Sequence, residues 1–457
     1  MLRLRLRARR TGAPQLTDDR TDEFCRLLPF ALTGAQRRAI DTCIADMRRG
    51  EPMNRLLQGD VGSGKTAVAA GLIYSAVKNG WQSALMAPTE ILAEQHARSL
   101  SRLLAPAGIR VGLLTGALSA AEKRAVREAL AQGGLDVAVG THALLTQTVE
   151  FRSLGLVITD EQHRFGVGQR AALSAKGGAP HRLVMSATPI PRTLALILYG
   201  DLDVSVLDEL PPGRQPIATF AVGSDKRARA YAYVKKHLDA GLQGYLVCPL
   251  VEEGEQETAA ATALYRRLAA GEFAAYRLGL LHGRMKGAEK DAVMTAFSRG
   301  EIDLLISTTV IEVGVDVPNA AIMVIEDADR FGLAQLHQLR GRVGRGKAAS
   351  TCILISDAQN EEARRRMQVM CATCDGFRIA EEDLKLRGPG DFFGSRQHGL
   401  PQLHIADLTT DMAVCEQAQQ AARRLLADDP ALSAPAHAGL RRGVEALYAS
   451  VGDGGLN

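Results

Sequence analysis

Aromatic residues make up only 4% of this 457-residue chain, with a single Trp. Sequence-tolerant holding of unpaired bases relies on stacking against aromatic faces, so a stacking platform fits poorly. Charge of one sign is scarce as well: 55 Lys and Arg face 51 Asp and Glu, for a net of +4. That excludes a histone-like polycation and confines any nucleic-acid footprint to a local patch that tracks phosphates. Seven cysteines stand without a repeating framework. A secreted disulfide scaffold is thereby disfavoured and a reducing compartment favoured. The lone Cys371-Ala-Thr-Cys374 has no second pair, so no zinc is expected. No apolar run reaches the roughly 18 residues of a membrane span, and no membrane partner is expected. The start, MLRLRLRARR, is arginine-rich without an apolar signal core. It reads as a frayed end or as a basic arm, residues 1–27.

Short apolar runs alternate with helical patterns. Strands are expected at Ser83–Ala87, Val111–Leu114, Val137–Gly140, Leu156–Thr159 and Leu183–Ser186, with helices such as Ala67–Lys78 and Ala121–Ala131 between them. This alternation predicts a parallel sheet covered on both faces. Three prolines and a glycine in Asp208–Pro216 mark a linker. Beyond it the alternation resumes at Tyr245–Pro249, Tyr276–Leu281, Leu304–Ser307, Ala321–Ile325 and Cys352–Ser356. The fold class is therefore α/β, two tandem parallel-sheet domains alike in architecture, with no sequence repeat read between them. The expected boundaries are 28–208, a linker at 209–217, 218–362, a segment at 363–405 and a helical tail at 406–457. Arg364–Cys374 reads as helix and Leu384–Gly399 as a Gly/Arg-rich stretch.

Gly59-Asp60-Val61-Gly62-Ser63-Gly64-Lys65-Thr66 fits G-x-x-x-x-G-K-[ST] and opens a helix. Glycines let backbone N–H groups curl around phosphates, Lys65 neutralises the outer oxygens and the Thr66 hydroxyl can hold Mg²⁺. About 95 residues later an apolar strand ends in Asp160-Glu161-Gln162-His163. An acid at the end of a buried strand is costly unless it serves a cation. Asp160 is expected to hold Mg²⁺ through water and Glu161 to orient the attacking water. Together these residues call for ATP and Mg²⁺. In the second half, Gln335-Leu-His-Gln338-Leu-Arg-Gly341-Arg342-Val-Gly-Arg345 puts Arg342 and Arg345 one helical turn apart, on one face. Such arginines suit a γ-phosphate reached from a second domain.

The set GDVGSGKT, APTE, VGTHALL, DEQH, SATPIPRT, TTVIEVGVDVPNA and QLRGRVGR resembles a superfamily 2 helicase motor over about 320 residues. More narrowly, Leu28-Pro-Phe-x-Leu-Thr-x-x-Gln36, Gly200-Asp-Leu-Asp-Val-Ser, Asp208-Glu-Leu-Pro-Pro-Gly-Arg and the Asp383–Gly394 stretch resemble the bacterial branched-DNA helicase family RecG. The transcription-repair coupling factor shares several of these motifs. The resemblance implies two RecA-like domains and an ATP-driven motor on duplex and branched DNA. Gln36 would read the adenine edge, and Gly314 and Asp316 would approach the nucleotide from the second domain. Gln338, Arg342 and Arg345 would complete the γ-phosphate site. Thr89, Gly116 and Thr141 would touch one DNA strand from the first domain, and His282, Gly283 and Thr308 from the second. His163, Ser186 and Thr188 would couple hydrolysis to strand binding, and Arg387 with the 363–405 segment would transmit domain motion to duplex DNA. The family also implies a cytoplasmic, nucleoid-associated protein and a single-strand-binding protein as partner. It normally carries an N-terminal wedge domain; fewer than 30 residues precede Leu28, which puts fork splitting outside the expectation. The alternatives are a coupling-factor-type duplex translocase, an RNA helicase or a non-hydrolysing DNA scaffold.

Overall fold

The computed structural model describes residues 12–160, 176, 179–186, 202–211, 216–249, 255–308, 317–346, 348–392 and 412–451. They fall into two compact units, one of residues 1–59, 64–209 and 384–457, the other of 60–63 and 210–383. No described helix is long and apolar enough to cross a membrane.

The first unit is built on seven strands: β1 (Asn54–Gly59), β2 (Gln82–Met86), β3 (Val111–Leu114), β4 (Val137–Gly140), β5 (Leu154–Asp160), β6 (His181–Ser186) and β7 (Asp203–Leu207). Their order is β3-β4-β2-β5-β6-β1-β7, with every pairing parallel. The central strands β1, β2 and β5 are buried along their whole length. That is why β2 and β5 read as near-continuous apolar runs rather than as alternations. Helix α1 (Gly34–Met47) precedes the first strand, and α2 (Lys65–Lys78), α3 (Glu90–Leu104) and α4 (Ala120–Gln132) connect strands. Sequence fixes several of their starts. Thr33 caps α1 with Gln36 completing the capping box, and Ser119 caps α4 with Glu122 doing the same.

The second unit holds six strands, β8 (Ala218–Val222), β9 (Gln243–Val247), β10 (Leu278–Leu281), β11 (Leu304–Ser307), β12 (Ala320–Ile325) and β13 (Thr351–Ile355). They run in the order β10-β11-β9-β12-β13-β8, again all parallel. Tyr231, Leu246, Phe273, Ile306, Ile322 and Val324 pack into its core. The helices α5 (Arg227–Asp239), α6 (Gly287–Ser298), α7 (Leu333–Arg340) and α8 (Glu361–Ala372) accompany this sheet. The chain continues through α9 (Gly376–Phe392), α10 (Met412–Asp428) and α11 (Ala438–Val451). The last two are the expected helical tail. Leu426, Leu432 and Val444 form a small core there.

Two tandem parallel-sheet domains are therefore present, as the alternation predicts. Three strands escape the sequence reading: β1 begins Asn-Arg, β7 is only partly buried, and β8 is mostly exposed along its edge. None offers a clean apolar run. The stretch from Leu384 is helical through Phe392, as the second half of α9.

The absence of a sequence repeat is also corrected. Residues 110–141 and 277–308 match at a constant offset of 167, with 14 of 32 positions identical. Hydrogen bonds repeat at the same offset. Arg110 N and Nε donate to Asp136 Oδ2, as Arg277 N and Nε do to Asp303 Oδ2. The acceptors of a further pair keep the offset while the donors do not: Gln82 Nε2 donates to the carbonyls of Leu130 and Leu135, and Gln243 Nε2, 161 residues further on, donates to those of Phe297 and Ile302. The repeat hides in sequence because its identities are scattered over one strand, the loop and the following helix, whereas the second strand, β4 against β11, keeps only its apolar character.

Candidate functional site

In a parallel sheet the carboxyl ends of the strands carry the ligand side. The register of the first unit aligns three such ends. Gln58 of β1 pairs with Ser186 of β6, and Asp160 of β5 pairs with Met185. Gly59, Asp160 and Ser186 thus finish neighbouring strands at one edge. Asp160 and Ser186 are buried there.

The glycine-rich loop leaves β1 at Gly59. Gly62 and Gly64 adopt φ of +77° and +83°, a left-handed conformation that glycine alone takes without strain. Lys65 and Thr66 are the first residues of α2, whose opening N–H groups and dipole favour an anion. Lys65 Nζ donates to Gly59 O at 2.8 Å, folding the ammonium over its own loop. Within the second unit, which takes in residues 60–63, the Asp60 carboxylate accepts from His337 Nε2 at 2.6 Å and from the Gly376 amide at 3.3 Å. Ser63 and Val61 are buried.

His96 of α3 donates from Nε2 to Asp160 Oδ2 at 2.8 Å, and both groups are buried. The sequence offers no signal for this pair, since 64 residues separate its members. Gln36 is buried, and its Oε1 accepts from the Thr33 amide at 2.9 Å, so it helps to start α1.

The arginines of the second unit are placed differently from the expectation. Helix α7 stops at Arg340, Gly341 is its C-cap, and Gly344 turns with φ of +80°. Arg342 and Arg345 therefore lie in the turn beyond the helix and share no helical face. Arg345 Nε donates to Gly341 O at 3.2 Å, and Arg342 is buried. Gln338 is half-buried on α7. A Cβ on Gly341 would come within 3.0 Å of Val61 Cβ, which accounts for glycine there. The wholly buried arginine of the motif is Arg340. It donates to the carbonyls of Met370 and Thr373 at 2.8 and 2.9 Å.

Of the six residues expected to meet DNA, Gly116 and Gly283, and Thr141 and Thr308, sit at matched strand ends in the two sheets. Thr89 caps α3. Gly116 follows β3 and Gly283 follows β10, both exposed, with half-buried His282 beside the latter. A Cβ on Gly116 would lie 2.7 Å from Glu90 Oε1. Thr141 follows β4 and Thr308 follows β11; their Oγ1 atoms are buried and meet no hydrogen-bond partner among the described residues. Glu161, His163, Thr188, Gly314 and Asp316 lie outside the described residues, and of Arg387 only its place in α9 is described. Cys371 lies in the last turn of α8 and Cys374 Sγ contacts Ile217 O at 3.5 Å.

Residues 33–197 match the DEAD/DEAH box helicase family and 232–347 the helicase conserved C-terminal domain. Residues 373–450 match the C-terminal part of domain 3 of the ATP-dependent DNA helicase RecG. The chain is 51% identical over 432 residues to the ATP-dependent DNA helicase RecG of Bacillus subtilis, covering 94% of this chain and 63% of that protein. It is 50% identical over 436 residues to that of Escherichia coli K12, covering 93% and 62%. For the Synechocystis protein the figures are 51% over 414 residues, 90% and 50%. The chain thus spans about half to just under two thirds of the length of these relatives. A solved structure of RecG bound to a three-way DNA junction superposes with a TM-score of 0.76 at 47% identity, covering 89% of this chain and 53% of that one. The helicase MrfA, at 16% identity and TM-score 0.57, shares the fold.

Proposed function

Because the chain belongs to the RecG-type ATP-dependent DNA helicases, we propose that it hydrolyses ATP to move on duplex DNA and remodels branched DNA in recombination and repair. The observation that carries the reading is the convergence of the glycine-rich loop, Asp160 and Ser186 on one sheet edge. The domains are taken as 28–208 and 218–362, joined by 209–217 and followed by the 363–405 segment.

The residues suit the nucleotide and its metal. Gly59–Gly64 would wrap the phosphates with backbone N–H groups, and Lys65 would balance their charge. Thr66 and Asp160 supply the hard oxygen donors that Mg²⁺ takes, and the ion would supply charge neutralisation along the phosphate chain. Gln36 would hold the base. Glu161 would orient the attacking water, and Gln338, Arg342 and Arg345 would stabilise the charge that builds on the γ-phosphate. Gly314 and Asp316 would meet the nucleotide from the second domain. Nucleotide held by both domains draws them together, and hydrolysis releases them. His163, Ser186 and Thr188 would pass that change to the DNA contacts at Thr89, Gly116, Thr141, His282, Gly283 and Thr308. Arg387 would pass it to the duplex. A single-strand-binding protein and a cytoplasmic, nucleoid-associated setting belong to the same reading.

The test compares ATP hydrolysis by this chain without nucleic acid and with linear duplex, a three-way junction and RNA. Stimulation by the two DNAs is expected. Stimulation by RNA alone would replace the reading with an RNA motor.

A further inference from the structure

The 167-residue repeat brings two lysines into one role. After β3 and after β10 the chain makes the same loop: a glycine one residue past the strand's next position, then a turn, then a capped helix. In the first unit Glu122 Oε2 accepts from the Ser119 amide at 2.8 Å; in the second, Glu289 Oε2 accepts from the Lys286 amide at 3.0 Å. The residue after each glutamate is a lysine. Lys123 Nζ reaches back to Gly116 O at 2.6 Å, and Lys290 Nζ reaches back to Gly283 O at 2.6 Å.

A cation in the first turn of a helix opposes the helix dipole, so helix stability does not explain these lysines. Each instead spans its loop and places a positive charge at an exposed glycine carbonyl, where a lone carbonyl would repel an incoming anion. A second observation points to a ligand at the same places. The strands β3 and β4, and likewise β10 and β11, end side by side, with Leu114 opposite Gly140 and Leu281 opposite Ser307. The next residues, Thr141 and Thr308, donate their amides to Leu114 O and Leu281 O at 3.4 and 3.2 Å. Their hydroxyls are 2% and 0% exposed by residue and meet no partner among the described residues. A buried hydroxyl without a partner calls for one, and a phosphate oxygen supplies it.

We infer that Lys123 and Lys290 are a matched pair of positioning residues, one in each domain, each fixing the strand-to-helix loop on which that domain seats a DNA backbone phosphate. The inference rests on the DNA-motor reading above. Since both ammonium groups are engaged by carbonyls, their part is to hold the loop and not to replace a phosphate counterion.

The experiment titrates the ATPase of the full chain with linear duplex at several KCl concentrations, for wild type, Lys123→Met, Lys290→Met and the two Lys→Arg variants. Each Met variant should raise the half-stimulating duplex concentration at least fivefold, and the two effects should agree within twofold. The loss should fall on that concentration rather than on the rate at saturating duplex. Arg, which keeps a donor for the carbonyl, should restore most of it, and it serves alone should a Met variant fail to fold: near-wild-type affinity with Arg supports the inference, and a fivefold loss opposes it. The slope of log affinity against log salt should stay at the wild-type value. A slope reduced by about 0.9 would mark a direct phosphate contact and overturn the positioning role. An effect confined to one lysine would overturn the pairing. Wild type without duplex stimulation would remove the functional reading, whereas a stimulated wild type matched by both Met variants would remove this inference alone.

Discussion

His96 Nε2 lies 2.8 Å from Asp160 Oδ2, and both side chains are buried at the carboxyl edge of the first sheet. The bond orients a carboxylate at the end of β5, two strands from the β1 end where the glycine-rich loop begins. Groups that orient metal-binding side chains are typically worth about 10- to 100-fold in metal affinity. His96→Ala should therefore raise the Mg²⁺ concentration for half-maximal ATP hydrolysis by about that factor, and Asp160→Ala should abolish hydrolysis. A magnesium titration checks this, and an unchanged midpoint in His96→Ala would contradict it.

On the proposed reading Lys65, Glu161 and Arg345 would divide the chemistry. Lys65→Ala should abolish hydrolysis. Glu161→Gln should do the same while still binding nucleotide. Arg345→Ala should lower kcat by about 10³-fold or more, with ATP binding spared. Steady-state kinetics with a nucleotide-binding assay separates these outcomes; a raised KM at normal kcat in Arg345→Ala would remove its γ-phosphate role.

Arg340 serves the fold. It is 1% exposed and donates to Met370 O and Thr373 O. Arg340→Met should cost about 1–3 kcal/mol for each carbonyl left without its donor. Urea unfolding should show a lower midpoint, and an unshifted one would contradict the assignment.

His181 makes stability depend on pH. Its Nδ1 accepts from the Met53 amide at 3.0 Å and its Nε2 donates to Pro14 O at 2.6 Å. Burial holds its pKa below the ordinary 6.5. The unfolded chain thus takes up a proton that the folded one refuses. The stability is present above pH 6.5 and is lost as pH falls from there towards the folded value. The urea midpoint should drop between pH 7 and pH 5, and His181→Gln should flatten that drop. An equal drop in the variant would exclude His181 as the source.

What could be read in the sequence is what is local in it. The glycine-rich loop is eight consecutive residues, and its conformation follows from Gly62 and Gly64. The buried strands β2, β4, β5 and β11 announce themselves as apolar runs. The misreadings have physical causes. Helix α7 ends at Gly341 and the chain turns at Gly344, so the helical spacing that the motif suggests for Arg342 and Arg345 is broken; glycine both terminates helices and takes left-handed turns. His96 with Asp160, and Arg340 with Met370 and Thr373, meet only through the fold. The lysines at 123 and 290 look like ordinary surface charges until the repeated bond to a glycine carbonyl sets them side by side.

The account turns on ATP hydrolysis that answers to DNA. The direct measurement is the hydrolysis rate of the 457-residue chain as linear duplex and then a three-way junction are added. The account predicts a saturable rise with either, absent in Lys65→Ala. A rate that stays the same at every DNA concentration, in a chain that binds and turns over nucleotide, would contradict it.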